Sequence, residues 1–213
     1  NVDGTRLIED TRITDYFKEE NSVRATAHIK DLIEENIEYN FILIMKLQDD
    51  REIFYYTRII QGNDSLVTEK LNYVMDFHKK TFDKESAKEL SIYLEPNSDG
   101  NNSDFANVDI HSNLNQVSWG DLHVEEVAEP AISICEIGKT TASVKLQTIV
   151  EVKENKITNK YRIQEFYRIR YTPDRMYLLN FNRTMEELFP MEKSSFANNK
   201  IWYHLFPGLT SLN

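Results

Sequence analysis

Residues 142–181 read ASVKLQTIVEVKENKITNKYRIQEFYRIRYTPDRMYLLNF, and this stretch decides the fold. Ala142, Val144, Leu146, Thr148, Val150 and Val152 keep a period of two, the spacing of a strand with one buried face. A polar turn at Glu154-Asn155-Lys156 follows. Tyr161, Ile163, Glu165, Tyr167, Ile169 and Tyr171 then repeat the alternation, and Thr172-Pro173-Asp174 turns the chain into Met176–Phe181. Three successive strands joined by short turns predict an antiparallel meander, with Val144, Leu146, Ile163 and Ile169 in the core.

Working back from the meander, Leu122 to Val127 and Ile132 to Ile137 read as strands. Pro96 to Asn107 is rich in Asn, Ser and Asp and reads as a mobile loop. Before it, Val67, Leu71, Val74, His78 and Phe82 recur at spacings of three and four, which predicts an amphipathic helix. Ser86-Ala87-Lys88-Glu89 fits a capping box ahead of Leu90, Tyr93 and Leu94, so a second short helix is expected. Gln61-Gly62-Asn63-Asp64-Ser65 joins a breaker to N-cap residues and is the natural boundary. The expected division is 1–62, a strand-rich region, 63–189, an α+β domain, and 190–213, a tail holding Trp202, Tyr203 and Phe206.

Within the first region, Thr5 to Glu20 reads as a short helix of poor periodicity. Val23, Ala25, Ala27 and Ile29 alternate like a strand, although the same run also fits a helix through Glu35. Ile37 to Leu47 and Glu52 to Ile60 form a hairpin about Gln48-Asp49-Asp50. Ile42 and Ile44 give its second face apolar character, so it is expected in the middle of a sheet.

The 213 residues are 40% hydrophobic and 11% aromatic, which suits a packed core and excludes a disordered chain. The net charge of −10 argues against general phosphate-backbone binding. With Cys135 as the single cysteine, no disulfide forms within the chain. No apolar run reaches the 18 or so residues of a membrane span, and no signal-peptide pattern is present. The first residue is Asn1 rather than Met, and the expectation is a piece of a longer protein whose membrane segment lies elsewhere.

Chemical motifs are scarce. His28, His78, His111, His123 and His204 share no ligand spacing, so no metal site is expected. His78 falls on the apolar helix face and reads as a hydrogen-bonded core histidine. Cys135 reads as a buried, inert thiol. Asp99-Gly100-Asn101-Asn102 lacks the ligand pattern of a calcium loop and reads as a turn. Glu165 lies on the apolar face of its strand, where a carboxylate must find a partner or shift its pKa; a salt bridge and a general base are both open to it. No catalytic residues and no cofactor are expected. Lys160, Arg162, Arg168 and Arg170 alternate on the outward face of the same strand, interrupted by Gln164 and Phe166, with Lys145 and Lys153 on the strand before. This row reads either as a solvated face or as a protein-docking strip.

Two helices, a polar loop and a twisted meander resemble the nuclear-transport-factor-two-like cone, a curved antiparallel sheet wrapped around N-terminal helices. More narrowly, Leu71 to Leu94, with Phe77, Phe82, Glu89-Leu90 and Tyr93-Leu94, is similar to the helical opening of the second domain of TcpC-type conjugation proteins. The runs Ala142–Val152, Tyr161–Tyr171 and Met176–Leu179 are similar to that domain's closing strands. The resemblance covers about 120 residues, from Asp64 to Arg183, and implies an α+β fold of one or two cone-like units, Val23 to Ile60 belonging to the first. It also implies a non-enzymatic, extracytoplasmic scaffold of a Gram-positive conjugative type IV secretion apparatus, anchored in the cell membrane. The expected partners are protein components of that apparatus and further copies of the chain, without direct nucleic-acid contact. A small-molecule enzyme or ligand binder using the cone cavity, and an extracytoplasmic lipoprotein or sensor domain, are the alternatives.

Overall fold

Alternation along β-branched and aromatic residues builds most of the molecule. The computed structural model describes residues 7–19, 23–29, 33–35, 37–62, 66–154, 157–188, 196–197 and 200–201. The chain divides into two units between Asp64 and Ser65.

In the first unit, β1 (Tyr16–Lys18) pairs antiparallel with β2 (Val23–Ala25). The helix expected over Thr5 to Glu20 is absent from its described residues, 7–19. Tyr16 and Phe17, good strand formers without a helical stripe to join, pair with Ala25 and Arg24 instead. Then β3 (Glu38–Lys46) and β4 (Glu52–Ile60) form the expected hairpin, registered from Glu38 opposite Ile60 to Lys46 opposite Glu52. Its turn is closed by Leu47 N–H donating to the Arg51 carbonyl at 2.9 Å, with Asp50 at φ 61°. Tyr39 is buried, and its hydroxyl accepts from the Glu34 N–H at 3.0 Å. The expected central position is not what the structure shows: among the described residues β3 and β4 make a two-stranded sheet. Apolar residues on both faces signal burial on both sides, yet Ile42, Ile44, Phe54 and Tyr56 on one face and Leu43, Met45, Ile53 and Tyr55 on the other are exposed.

The second unit is α+β. Helix α1 (Val67–Thr81) buries Val74 and His78 of the predicted stripe, together with Lys70, Phe77 and Thr81, while Val67, Leu71 and the adjoining Phe82 are half-buried. A 3-10 helix (Ser86–Ile92) stands where the second helix is expected. Its start differs from the box read in the sequence: Glu85, not Ser86, is the N-cap and makes no side-chain cap bond, and Asp83 before it accepts from the Ser86 N–H at 2.7 Å. Then follow β5 (Asn107–Asp109), α2 (Leu114–Val117), β6 (His123–Glu126), β7 (Ala131–Ile137), β8 (Thr141–Glu154), β9 (Ile157–Tyr171) and β10 (Met176–Glu187). The order across the antiparallel sheet is β5-β10-β9-β8, and both β6 and β7 pair with the far edge of β8. β7 runs beside Ala142–Gln147 and β6 beside Val150–Lys153. Two further two-residue strands, β11 (Phe196–Ala197) and β12 (Lys200–Ile201), pair with each other, and the rest of the tail after Leu188 lies outside the described residues.

The inward sets meet the helices in one apolar layer: Val74, Phe77 and Leu90 pack with Val144, Leu146, Tyr167, Ile169 and Phe181. Ile163 is also fully buried, so the four core positions expected of the meander are all inside. Segment 96–106 has no regular structure but is tied by its own amides. Asp104 accepts from Asn101 Nδ2 and from the Ala106 N–H, and Asn102 Oδ1 accepts from the Asn113 N–H. A Cβ on Gly100 would lie 2.1 Å from the His111 carbonyl oxygen, so only glycine fits that approach. Asx-type turns of this sort are what a run of Asn, Asp and Ser supplies.

Candidate functional site

Strand β9 presents two sets of side chains, and each is a candidate. Its outward set holds Lys160, Arg162, Arg168 and Arg170, on one face as expected, with Gln164 and half-buried Phe166 between the two pairs. Cross-strand neighbours place carboxylates beside three of them. Glu151 lies 3.3 Å from Lys160, Glu186 2.6 Å from Arg162, and Glu136 2.9 Å from Arg168. Arg170 stacks on the Tyr177 ring at 5.3 Å. Lys153 pairs with Glu125 at 2.6 Å on β6. The row therefore carries directional charge without a large positive field, because exposed pairs in water nearly cancel at a distance. A groove of about 470 Å³ crosses this face between the two basic pairs, lined by Ser133, Lys145, Gln147, Gln164, Phe166 and Asn182.

The inward set holds Glu165, buried with 2% exposure. Its Oε2 lies 2.7 Å from His78 Nδ1 and accepts from the Tyr167 hydroxyl at 2.7 Å. The other ring nitrogen, Nε2, lies 3.0 Å from Glu126 Oε1 on β6. Carboxylates accept, so both ring nitrogens donate, and that requires the imidazolium form. The pKa directions agree. Burial alone would lower His78, but the hydrogen bonds and charges of Glu165 and Glu126 raise it. Burial would raise Glu165, and His78, Arg183 and Tyr167 hold it below the ordinary carboxylate value. Tyr167 is pushed well above the ordinary phenol value by burial and by Glu165.

Arg183, on β10 opposite Glu165, completes the cluster. Its two terminal amines donate to the carbonyls of Val117 and Gln116 at 2.9 and 3.0 Å. Its guanidinium lies 3.5 Å from the Trp119 ring centre. Burial lowers its pKa to about 10, which leaves it charged at neutral pH. Two cations, His78 and Arg183, thus face two anions, Glu165 and Glu126. His78, Tyr167 and Arg183 are fully buried. Glu126 is partly exposed, and Glu165 is among the residues that line the 470 Å³ groove, although its side chain is almost fully buried.

Glu165 and His78 were each legible as odd polar residues on apolar faces, and the structure brings them together across 87 positions. Glu126, Trp119 and Arg183 gave no signal. Cys135 departs from expectation: it is half-buried, and it is the extra residue of a β-bulge between Ile134 and Glu136. His111 Nδ1 is bound by Asn97 Nδ2 and faces the Glu95 carbonyl, while His28 and His123 are exposed. Among the described residues no three His, Cys, Asp or Glu side chains come together as metal ligands, and no helix is long and apolar enough to cross a membrane. No family model, curated protein or solved structure matches the chain.

Proposed function

We propose that this chain is a non-enzymatic assembly module, a scaffold that joins protein components of an extracytoplasmic, membrane-anchored DNA-transfer apparatus of the TcpC-type conjugative kind. The observation that carries the reading is the division of labour on β9. Its titratable inward groups are buried in a cluster of balanced charge, whereas its outward groups form a basic row around an open polar groove. Fixed charge directed outward, with Phe166 between the basic pairs, suits recognition of a folded partner. The cone-like fold is part of the same proposal. It is supported by the order of elements, helices first and then a long meander, with the helices on one face of the sheet. Self-association and attachment to a membrane outside these residues belong to it as well.

The test is reversal of Arg168 and Arg170 to Glu. Thermal unfolding should change little, since both side chains sit on the solvent face, while capture of partner components from the native membrane fraction should fall. Capture that survives the reversal removes the strip from the proposal.

A second reading, a ligand-processing cone, is favoured by one observation, the His78–Glu165–Tyr167 contact, which has the geometry of an oriented acid–base pair. It requires a route for substrate into a sealed core. A turnover abolished by Glu165→Gln in a folded protein would establish it in place of the scaffold.

A further inference from the structure

Strand β3 reads EYNFILIMK from Glu38 to Lys46, with a negative charge at its start, a positive charge at its end and only uncharged residues between. It borders β4 along one edge, and no other strand among the described residues pairs with it. Leu47 N–H donates to the Arg51 carbonyl, so these two form a hydrogen-bonded pair of the ladder. Alternation from there turns the backbone groups of Leu43 and Met45 toward β4 and those of Ile42 and Ile44 toward the opposite edge. The side chains of Ile42, Leu43, Ile44 and Met45 are exposed. A long apolar edge with no charge along its middle is a template for another strand.

The charges at the two ends say which strand fits. Antiparallel pairing of two β3 edges about Ile42 uses the whole strand and sets Glu38 of each copy opposite Lys46 of the other. Tyr39 then stands opposite Met45, Asn40 opposite Ile44, and Phe41 opposite Leu43. The parity agrees, because the outward backbone groups of Ile42 form the hydrogen-bonded pair on the two-fold axis. Within each hairpin Glu38 already lies 2.7 Å from Arg58, and Lys46 lies 3.2 Å from Glu52. All four side chains share one face of the hairpin. Each end of the joined sheet thus carries the row Arg58, Glu38, Lys46, Glu52, alternating in sign from one copy into the next. A parallel pairing in register would instead set Glu38 against Glu38 and Lys46 against Lys46, which is unfavourable. The β4 edge is less suited. Matching its own opposite charges, Glu52 and Arg58, leaves Ile59 and Ile60 overhanging, and Gln61 beyond them is bridged to Glu35.

We propose that the free edge of β3 is where a second copy of this chain docks, antiparallel about Ile42, to give one sheet of order β4-β3-β3-β4 with a two-fold axis. The charged ends select the copy and its direction, and backbone hydrogen bonds with the apolar middle hold it. The proposal gives the self-association of the scaffold reading a place and rests on that reading only for its purpose. It concerns the first unit, so its failure and failure of the Arg168–Arg170 strip show in different experiments.

Sedimentation velocity of the 213-residue chain across a range of concentrations measures the association, in reducing buffer so that Cys135 does not link copies. The wild type should sediment as a dimer that dissociates on dilution. Glu38→Lys puts like charges at both ends of the pair, and so does Lys46→Glu. Each variant alone should dimerise about tenfold more weakly than the wild type. An equimolar mixture of the two restores opposite charges at both ends and should recover that loss. Any effect of either change inside its own hairpin is the same in mixed and unmixed dimers, so the recovery reports the contact between copies. Ile42→Lys sets two cations on the axis and should leave a monomer. A wild type that stays monomeric or grows into open assemblies would overturn the proposal. So would charge variants that dimerise like the wild type, a mixture no tighter than either variant alone, or an Ile42→Lys protein that still dimerises.

Discussion

Glu165 and Arg183 lie directly opposite each other on β9 and β10, both inside the core, and form no ion pair. Each instead keeps one buried atom without a protein partner, Glu165 Oε1 and Arg183 Nε, while their remaining polar atoms are committed to different elements. Glu165 reaches α1 through His78, and Arg183 reaches the 116–117 carbonyls of α2. The two charges act as ties between the sheet and the two helices that cover it, and they stabilise each other through the intervening low-dielectric space.

Arg183→Ala should therefore destabilise the second unit by about 3–5 kcal/mol, because it strands Glu165 and two buried carbonyls. The double change Arg183→Met with Glu165→Gln should cost less than the sum of the singles, with a coupling of about 0.5–3 kcal/mol. Urea denaturation of the wild type, Arg183→Ala, the two singles Arg183→Met and Glu165→Gln, and the double variant measures both. Additive losses would show that the two charges do not sense each other.

The histidine makes stability depend on pH with a defined sign. The folded-state pKa of His78 is raised above its ordinary 6.5, so its contribution is fully present below 6.5 and is lost as pH rises through the folded value. Glu165 is lowered from 4.5, so its contribution is present above 4.5 and is lost as pH falls through its folded value. Stability should be greatest between about 4.5 and 6.5 and decline on the alkaline side. His78→Gln should flatten that alkaline decline. Denaturation midpoints across the range that stay equal for the two proteins would remove the imidazolium from the account.

Leu146 lies at 1% exposure in the middle of β8. Truncation to Ala should cost about 2–5 kcal/mol through lost burial and the cavity left behind. An unchanged denaturation midpoint would contradict its place in the core.

Gly100→Ala places a methyl carbon 2.1 Å from the His111 carbonyl and 2.7 Å from the Ser112 nitrogen. Backbone on both sides of the contact must shift, at a cost of about 1–3 kcal/mol. Amide exchange at Ala106 and Asn113, whose N–H groups are held by Asp104 and Asn102, should accelerate. Unaltered exchange would mean the knot tolerates a side chain there.

The meander was readable because its physics is local: a period of two over long runs leaves one choice of buried face. Helix α1 was readable for the same reason at a period near 3.6. The cluster around Arg183 was hidden by one residue. Leu179 is bulged out where β10 passes β9, so the buried positions run Leu178, Phe181, Arg183 instead of continuing on even numbers. Unbroken alternation from Leu178 would place Asn182 inside and Arg183 in solvent, which is the ordinary position for an arginine. The pairing of His78 with Glu126 and Glu165 is a tertiary fact, invisible to any local window. Over Thr5 to Glu20 the reading failed because scattered apolar residues fit no period well, and pairing across a short loop decided the outcome.

Strand β8 is bordered by β9 along one edge and by β6 and β7 in succession along the other. That arrangement governs how the chain can drift over generations. A single-residue insertion or deletion within 142–152 would turn Val144 or Leu146 out to solvent and bring Lys145 or Gln147 into the apolar layer. It would do so against all three neighbours at once. Length changes are thus confined to connections such as 172–175, where Thr172 and Arg175 bond each other, whereas 138–140 is tied to α1 by Lys70 Nζ, which donates to the Gly138 and Lys139 carbonyls. Among relatives of this chain, β8 should vary in side chain while keeping its length.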